Sequence, residues 1–476
     1  MGALVEDHYN AELENGGVGL GDCIDLGVED EPETLAIEES VRILLQGLGE
    51  DVNREGLRKT PFRVAKALRE GTKGYRQKVN DVVHGALFPE VGLGAGVGHA
   101  GGAGGLVIVR DIDLFSYCES CLLPFHIKCH VGYVPSEQRV VGLSKLSRVA
   151  DIFAKRLQNP QHLSDQVCAA LQQAFNPTGV ALLLQCSHIH IHHGWVKVLV
   201  TSGSGVFEDE KANVWTDFLG LLRLRGICSD TKDIERPFCP SRFSCKTLPP
   251  LNSVMTNAVG SILLSLGEDP FRKELLGTPS RFVKWFTDFK NSDLEMKKPF
   301  GGFVRCGSDS EPEMVSELNL PFWSQCEHHL LPFYGVVHIG YLCGSNGGGG
   351  AKSTLQSIVH FHGYKLQVQE RLTRQIAESV ASATGEEDVI VVVEASHTCM
   401  ISRGIEKVGS NTATVAVLGR FSREPTMRMQ FLQSIPNSCA LKSKPHPQPH
   451  LRPPANTNIF KVRRASNSAA TNTLRR

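Results

Sequence analysis

The chain contains itself twice. GEDVNREGLRKTPFRVAK at 49–66 reappears as GEDPFRKELLGTPSRFVK at 267–284, and FSYCESCLLPFHIKCHVGY at 115–133 as WSQCEHHLLPFYGVVHIGY at 323–341. QCSHIHI at 185–191 answers EASHTCM at 394–400. The offsets between these blocks are 218, 208 and 209 residues. A near-constant offset of that size means tandem copies of a whole domain, not a short solenoid period. A chain of 476 residues is long enough for two cores. The larger first offset reflects extra residues in the first copy, the glycine-rich stretch 92–105. Gly96-x-Gly98-x-x-Gly101 within it lacks the strand-to-helix setting of a dinucleotide fingerprint and reads as a surface insertion. The expected organisation is an acidic segment 1–35, a first domain 36–226, a linker 227–250, a second domain 251–436 and a basic, Pro-rich tail 437–476.

Periodicity within each copy sets the local structure. Ile37, Val41, Leu44, Leu45 and Leu48 share one helical face. Thr60-Pro61 and Thr278-Pro279 read as starts of a second helix, with Thr capping and Pro in the first turn. Alternating β-rich runs such as 106–115 and 336–342 predict strands. Helices are expected at 145–158, 162–175, 355–362 and 367–382, and a buried strand at 389–395. A short last helix closes each copy, near 226 and 436. The fold class is α+β, with an antiparallel sheet and helices on one face.

Lys plus Arg and Asp plus Glu both number 50, so no global charge steers the chain to nucleic acid or a membrane. The ends are polarised: residues 1–35 hold no Lys or Arg, and 440–476 no acid. Such tails read as solvated segments. Fourteen scattered Cys do not resemble a secreted disulfide framework. No signal peptide, transit peptide or membrane-length apolar run is visible, and Glu6 breaks the myristoylation pattern. The expected compartment is the cytoplasm.

The chemistry concentrates in the second copy. Cys326 and His329 in PFWSQCEHHLLPFYG, with Cys399 in EASHTCMISRG, supply two thiolates and an imidazole. That set suits zinc with a fourth position open to water, whose pKa then falls toward neutrality. His328 and His397 are left for proton transfer beside the metal.

CEHHLLPF (326–333), LQVQERLTRQI (366–376) and EASHTCMISRG (394–404), with TPFRVAK (60–66) and GLSKLSR (142–148) in the first copy, resemble GTP cyclohydrolase I, in its doubled plant-type form. The likeness covers both copies. It implies two tandem tunnelling-fold (T-fold) domains, GTP as partner, and hydrolytic opening of the GTP imidazole ring at C8. Formate and 7,8-dihydroneopterin triphosphate would result, opening tetrahydrofolate-type pterin synthesis. It implies that Gln369 and Glu370 read the guanine edge. Ser144, Lys145, Arg148, Arg403, Arg63, Lys66, Arg281 and Lys284 would hold the triphosphate, as guanidinium and ammonium groups suit phosphate oxygens. A homo-oligomer follows: ten family domains form two stacked rings, so five chains would suffice.

Neither copy carries the whole set. The first has Ser120 and Cys121 for His328 and His329, His190 for Cys399, Gly194 for Arg403, and Asn159-Pro160-Gln161 for Val368-Gln369-Glu370. The second has GSNGGGGAKSTLQS (344–357) where Ser-Lys-x-x-Arg belongs. These complementary losses predict a composite pocket, with zinc, proton transfer and base recognition from the second copy and triphosphate cations from the first across an interface. The alternative is an inactive nucleotide-binding regulatory scaffold. Cys118, Cys121 and His190 still offer three zinc ligands, although the preferred reading is a lapsed site.

Overall fold

The computed structural model describes residues 31–89, 105–136, 139–190, 194–209, 211–227, 238–239, 252–295, 312–344, 352–405 and 409–436. Residues 1–30 of the acidic segment, 92–104 of the glycine-rich insertion, most of the linker and the basic tail lie outside the described residues.

The strands are β1 (Leu87–Pro89), β2 (Val107–Cys118), β3 (Pro124–Val134), β4 (Arg139–Val141), β5 (Leu157–Gln158), β6 (Gly179–His190) and β7 (Gly194–Gly205) in the first copy. The second has β8 (Pro312–Cys326), β9 (Pro332–Gly344), β10 (Leu366–Gln367), β11 (Val389–His397) and β12 (Thr412–Val417). Each copy forms a five-stranded sheet, ordered β5-β2-β3-β6-β7 and β10-β8-β9-β11-β12. Four strands of each are antiparallel, and the two-residue edge strands β5 and β10 run parallel to their neighbours. These are two tandem T-fold domains.

The copies even share their irregularities. The β2–β3 and β8–β9 ladders slip at Val109/Ile112 and Glu317/Leu320. Asp111 and Asn319 sit there at φ 58°, in the left-handed region that short polar side chains tolerate. Their backbone N–H groups donate to Nδ1 of His130 at 3.1 Å and of His338 at 3.2 Å.

Four helices form near the expected ranges, at Leu143–Ala154, Pro160–Phe175, Lys352–Gly363 and Gln369–Thr384, but the ends expected as helix at 157–158 and 367 are strand residues of β5 and β10. Strand alternation divides what lies beneath them. Leu182 and Leu184 face the main core, whereas Ala181 and Leu183 face the closing helix Asn213–Arg223. Phe218 of that helix covers Gly132, and Phe431 of helix Pro425–Ser434 covers Gly340 in the same way. The short last helix of each copy thus lies on the sheet face opposite the helix pair.

The two copies share one core, a continuous cluster running from Ile37 to Cys399. Their opening helices, Pro32–Gly47 and Ser253–Ser265, pack on each other, and the five apolar residues expected on one face of the first are all buried. Gly47 permits this crossing: a Cβ there would lie 2.5 Å from Met255 Sδ. Thr60 and Thr278 do not cap. Each is the first helical residue, preceded by a cap without side-chain help in the case of Thr60. Their hydroxyls instead donate across the copies, Thr60 to the Glu327 carbonyl at 2.8 Å and Thr278 to the Glu119 carbonyl at 2.5 Å. Cys118, Cys121, Cys239, Cys326 and Cys399 are free thiols, and Cys343 is disulfide-bonded.

Candidate active site and metal centres

The second copy holds its three expected ligands at the end of β8 and the start of the one-turn helix Thr398–Ile401. After β8 the chain reverses tightly: Leu330 N–H donates to the Cys326 carbonyl at 2.8 Å and Cys326 N–H to the Leu331 carbonyl at 2.9 Å. Leu330 is held at φ 55° in this turn, a conformation costing about 1–3 kcal/mol for a bulky residue. The turn folds His329 back beneath Cys326, while β11 delivers His397 and Cys399 beside them. The Sγ atoms of Cys326 and Cys399 and a ring nitrogen of His329 lie within 4.8 Å of one another. Both cysteines are buried and His329 is half-buried, so one side remains open. A hydrogen bond from Cys399 holds the Cys326 thiol well below its usual range, and the same contact pushes Cys399 well above. One proton is therefore shared by a pair that a divalent cation would fully deprotonate. Two thiolates, one imidazole and an open side fit zinc with three protein ligands.

His397 lies stacked on Phe333, with ring centroids 4.6 Å apart and planes 7° from parallel. Its Nε2 is 2.7 Å from Gln369 Oε1. The Gln369 amide nitrogen donates to the carbonyls of Val393 at 3.0 Å and Thr412 at 2.8 Å. Those two acceptors fix which end of the amide faces the ring, so His397 Nε2–H donates to Gln369 Oε1. Gln369, expected at the guanine edge, is 2% exposed and spends its amide on His397 and the backbone. Glu370 is exposed in the first turn of helix Gln369–Thr384, where a carboxylate gains from the helix dipole.

The other copy supplies much of what surrounds this centre. Glu327 is 2% exposed and pairs with Arg371 at 2.6 Å and with Arg54 of the first copy at 2.9 Å. Burial raises the Glu327 pKa, but the two guanidiniums outweigh it and hold the carboxyl below its ordinary value. Burial lowers the pKa of half-exposed His328; charge on Cys326 opposes that, and the Arg63 guanidinium of the first copy adds to it. His328 is therefore neutral at physiological pH. Burial pushes the Tyr117 phenol up to about 12 against the pull of the nearby Arg403 guanidinium. Arg403 also donates to the Cys399 carbonyl at 2.7 Å.

The remaining cations go elsewhere. Arg281 donates to the Ser120 carbonyl at 2.6 Å, and Lys284 pairs with Asp288 at 2.8 Å. Lys66 is exposed, above the Phe62 ring. Lys145 donates to the Val82 carbonyl at 2.7 Å, and Ser144 and Arg148 are exposed on the same helix. Among the described residues, no hydrogen bond or ion pair joins Ser144, Lys145 or Arg148 to the Cys326 centre.

The first copy also gathers ligands, though not the set expected. Cys118, Cys121, His188 and Cys239 place their ligand atoms within 4.8 Å of one another, and all four are buried. His188 replaces His190, whose side chain lies outside the described residues. Cys239 comes from the stretch read as linker. It is one of three cysteines scattered through that stretch, with Cys228 and Cys245, and no ligand spacing singled it out.

Comparison with known proteins agrees with this arrangement over nearly the whole chain. The family model for GTP cyclohydrolase I matches residues 37–214 and again 255–436. A Solanum lycopersicum protein described as GTP cyclohydrolase 1 is 64% identical over 460 residues, 92% of this chain and 99% of the relative. Its Arabidopsis thaliana counterpart is 58% identical over 466 residues, 93% of this chain and 99% of the relative. A Dictyostelium discoideum GTP cyclohydrolase 1 is 40% identical over 229 residues, only 46% of this chain but 93% of its own length.

Proposed function

Because the chain belongs to the GTP cyclohydrolase I family and is an enzyme of that type, we propose that it opens the imidazole ring of GTP by zinc-dependent hydrolysis. The products are formate and 7,8-dihydroneopterin triphosphate, for pterin and tetrahydrofolate synthesis. The observation that carries this reading is the open three-ligand cluster of Cys326, His329 and Cys399 beside two uncharged-capable imidazoles. Zinc held there supplies water acidified toward neutral pH. The protein's own groups do the rest. His397 accepts a proton at Nδ1, because Gln369 engages its Nε2–H. His328, kept neutral, accepts or returns a second proton at the ring nitrogen or ribose oxygen of the substrate. Glu370, exposed at a helix N-terminus, is suited to accept from the guanine N1–H and exocyclic amine.

The site is composite. The Arg63 guanidinium of the first copy is near enough to lower the pKa of His328, and Arg54 and Thr60 of the first copy hold the loop carrying Glu327. Arg403 and Arg63 are assigned to the triphosphate near the metal. Ser144, Lys145 and Arg148 are assigned to the same task on a neighbouring chain. β7 and β12 end their sheets with no further strand among the described residues, and such edges invite pairing between subunits. A homo-oligomer then brings the exposed cations of one chain to the metal centre of another. Among the described residues, no helix is long and apolar enough to cross a membrane. The test is turnover of GTP by the full chain, followed by formate release and pterin fluorescence, with Cys399→Ala as control. Equal activity in that variant overturns the proposal.

A further inference from the structure

Among the described residues, duplication has left two metal-capable clusters of different kinds. The second-copy cluster has three ligands and an open side. The first-copy cluster has four, all inaccessible: Cys118, Cys121 and His188 are 0% exposed and Cys239 is 3% exposed. We propose that Cys118, Cys121, His188 and Cys239 form a closed, structural zinc site that fastens the segment between the copies to the first sheet.

Position by position, the change from one cluster to the other is small. Cys118 stands where Cys326 does, at the end of β2 rather than β8. Cys121 stands where His329 does, and the same tight turn presents it: Leu122 N–H donates to the Cys118 carbonyl at 2.8 Å, with Leu122 at φ 57°. His188 occupies the place of His397. Each ring lies parallel to the phenylalanine of its Leu-Leu-Pro-Phe run, His188 on Phe125 at 5° and His397 on Phe333 at 7°. The difference lies below the ring. Pro160 stands in place of Gln369, and the His188 Nε2 lies 3.2 Å from Cys121 Sγ. A proton-transfer position has thereby become a ligand position.

Among the described residues, the fourth ligand has no counterpart in the other copy. Cys239 arrives from outside the repeat, and Phe238 beside it packs edge-on to both Phe125 and His188, at 5.0 and 5.2 Å between centroids. An aromatic wedge thus seats the cysteine in the cluster. Three sulfurs and an imidazole are a donor set that selects zinc in tetrahedral geometry. Four protein donors leave no position for water or substrate, and closed sites of that kind stabilise folds. Zinc here would not contribute to catalysis. It would tie the end of the first copy to its own sheet and so fix where the second copy begins.

Zinc content of the full-length protein tests the proposal, since each cluster can be removed alone. Wild type should carry about two equivalents per chain. Cys326→Ala should keep about one, and Cys239→Ser should also keep about one. Cys239→His should retain both, because imidazole also serves as a ligand. Should Cys239→Ser fold poorly, alkylation of wild type decides instead. Cys239 should resist iodoacetamide while zinc is bound and react once a chelator has stripped it. About one equivalent in wild type, lost in Cys326→Ala but kept in Cys239→Ser, overturns the closed site and leaves the catalytic reading intact. A Cys118–Cys121 disulfide in the native protein, or free alkylation of Cys239 in zinc-loaded protein, overturns it as well.

Discussion

Gln369→Leu asks whether that side chain serves the imidazole or the substrate base. The amide makes three hydrogen bonds, of 2.7, 3.0 and 2.8 Å, in a position 2% exposed. Leucine fills nearly the same volume but deprives His397 Nε2–H and the carbonyls of Val393 and Thr412 of this partner. Each lost bond is worth about 1 kcal/mol, with about 1–3 kcal/mol more where a buried group stays unpaired. Strand flexibility lets some of these groups find other partners, so a loss of about 2–5 kcal/mol is expected in urea unfolding. The catalytic effect follows from the tautomer. A positioned proton-transfer group contributes about 10²–10⁴-fold. Partial loss of its correct form should lower kcat about 10–100-fold and leave KM for GTP little changed. Formate release and pterin fluorescence over a range of GTP concentrations separate the two constants. An increase in KM of about tenfold or more at unchanged kcat would refute the argument, because lost base recognition has that signature.

Arg54→Met removes one partner of buried Glu327. Breaking a buried pair costs about 3–5 kcal/mol, but Arg54 is 31% exposed, so solvent screening reduces the expected cost to about 1–3 kcal/mol by urea titration. Glu327 has a depressed pKa in the folded protein, so its contribution is complete above the usual carboxylate value of about 4.3 and disappears as pH falls through the folded value. Arg54→Met should therefore move the acid-unfolding midpoint upward; an unchanged midpoint contradicts the pairing. Lys145→Ala should raise KM for GTP with little change in kcat, and His397→Ala the reverse; the opposite pattern in steady-state kinetics would reassign both. Gly335→Ala would place a Cβ 1.8 Å from the Glu394 carbonyl oxygen in the adjacent strand. It should cost about 3 kcal/mol, the upper range for overpacking, and wild-type stability would show that β9 and β11 can separate there. Chelation should abolish GTP turnover, with zinc restoring it and magnesium failing to do so.

Local patterns carried a large part of this protein. Cys326 and His329 are separated by two residues, and Cys399 follows His397 by two, so each pair declares itself within a short window. The apolar period of 37–48 marked a helix for the same reason. Sequence also exposed the complementary losses, because an internal duplicate provides its own reference: Ser120 and Cys121 are informative only beside His328 and His329. The cap expected at Thr60 failed through the same locality. Thr-Pro is a sound helix-start signal, but it contains nothing about a carbonyl 267 residues away.

Sequence by itself therefore determined the duplication, the order of elements, and which copy retains the open metal motif, since all of these are written in neighbours or in direct repeats. Only the tertiary structure decided that the two copies share a core, that Arg54 and Arg63 of one attend the loop of the other, that Gln369 holds His397, and that Cys239 joins Cys118, Cys121 and His188. Each of those outcomes depends on where distant backbone segments come to rest. Side-chain identity permits such contacts, but chain geometry selects among the many partners that identity allows.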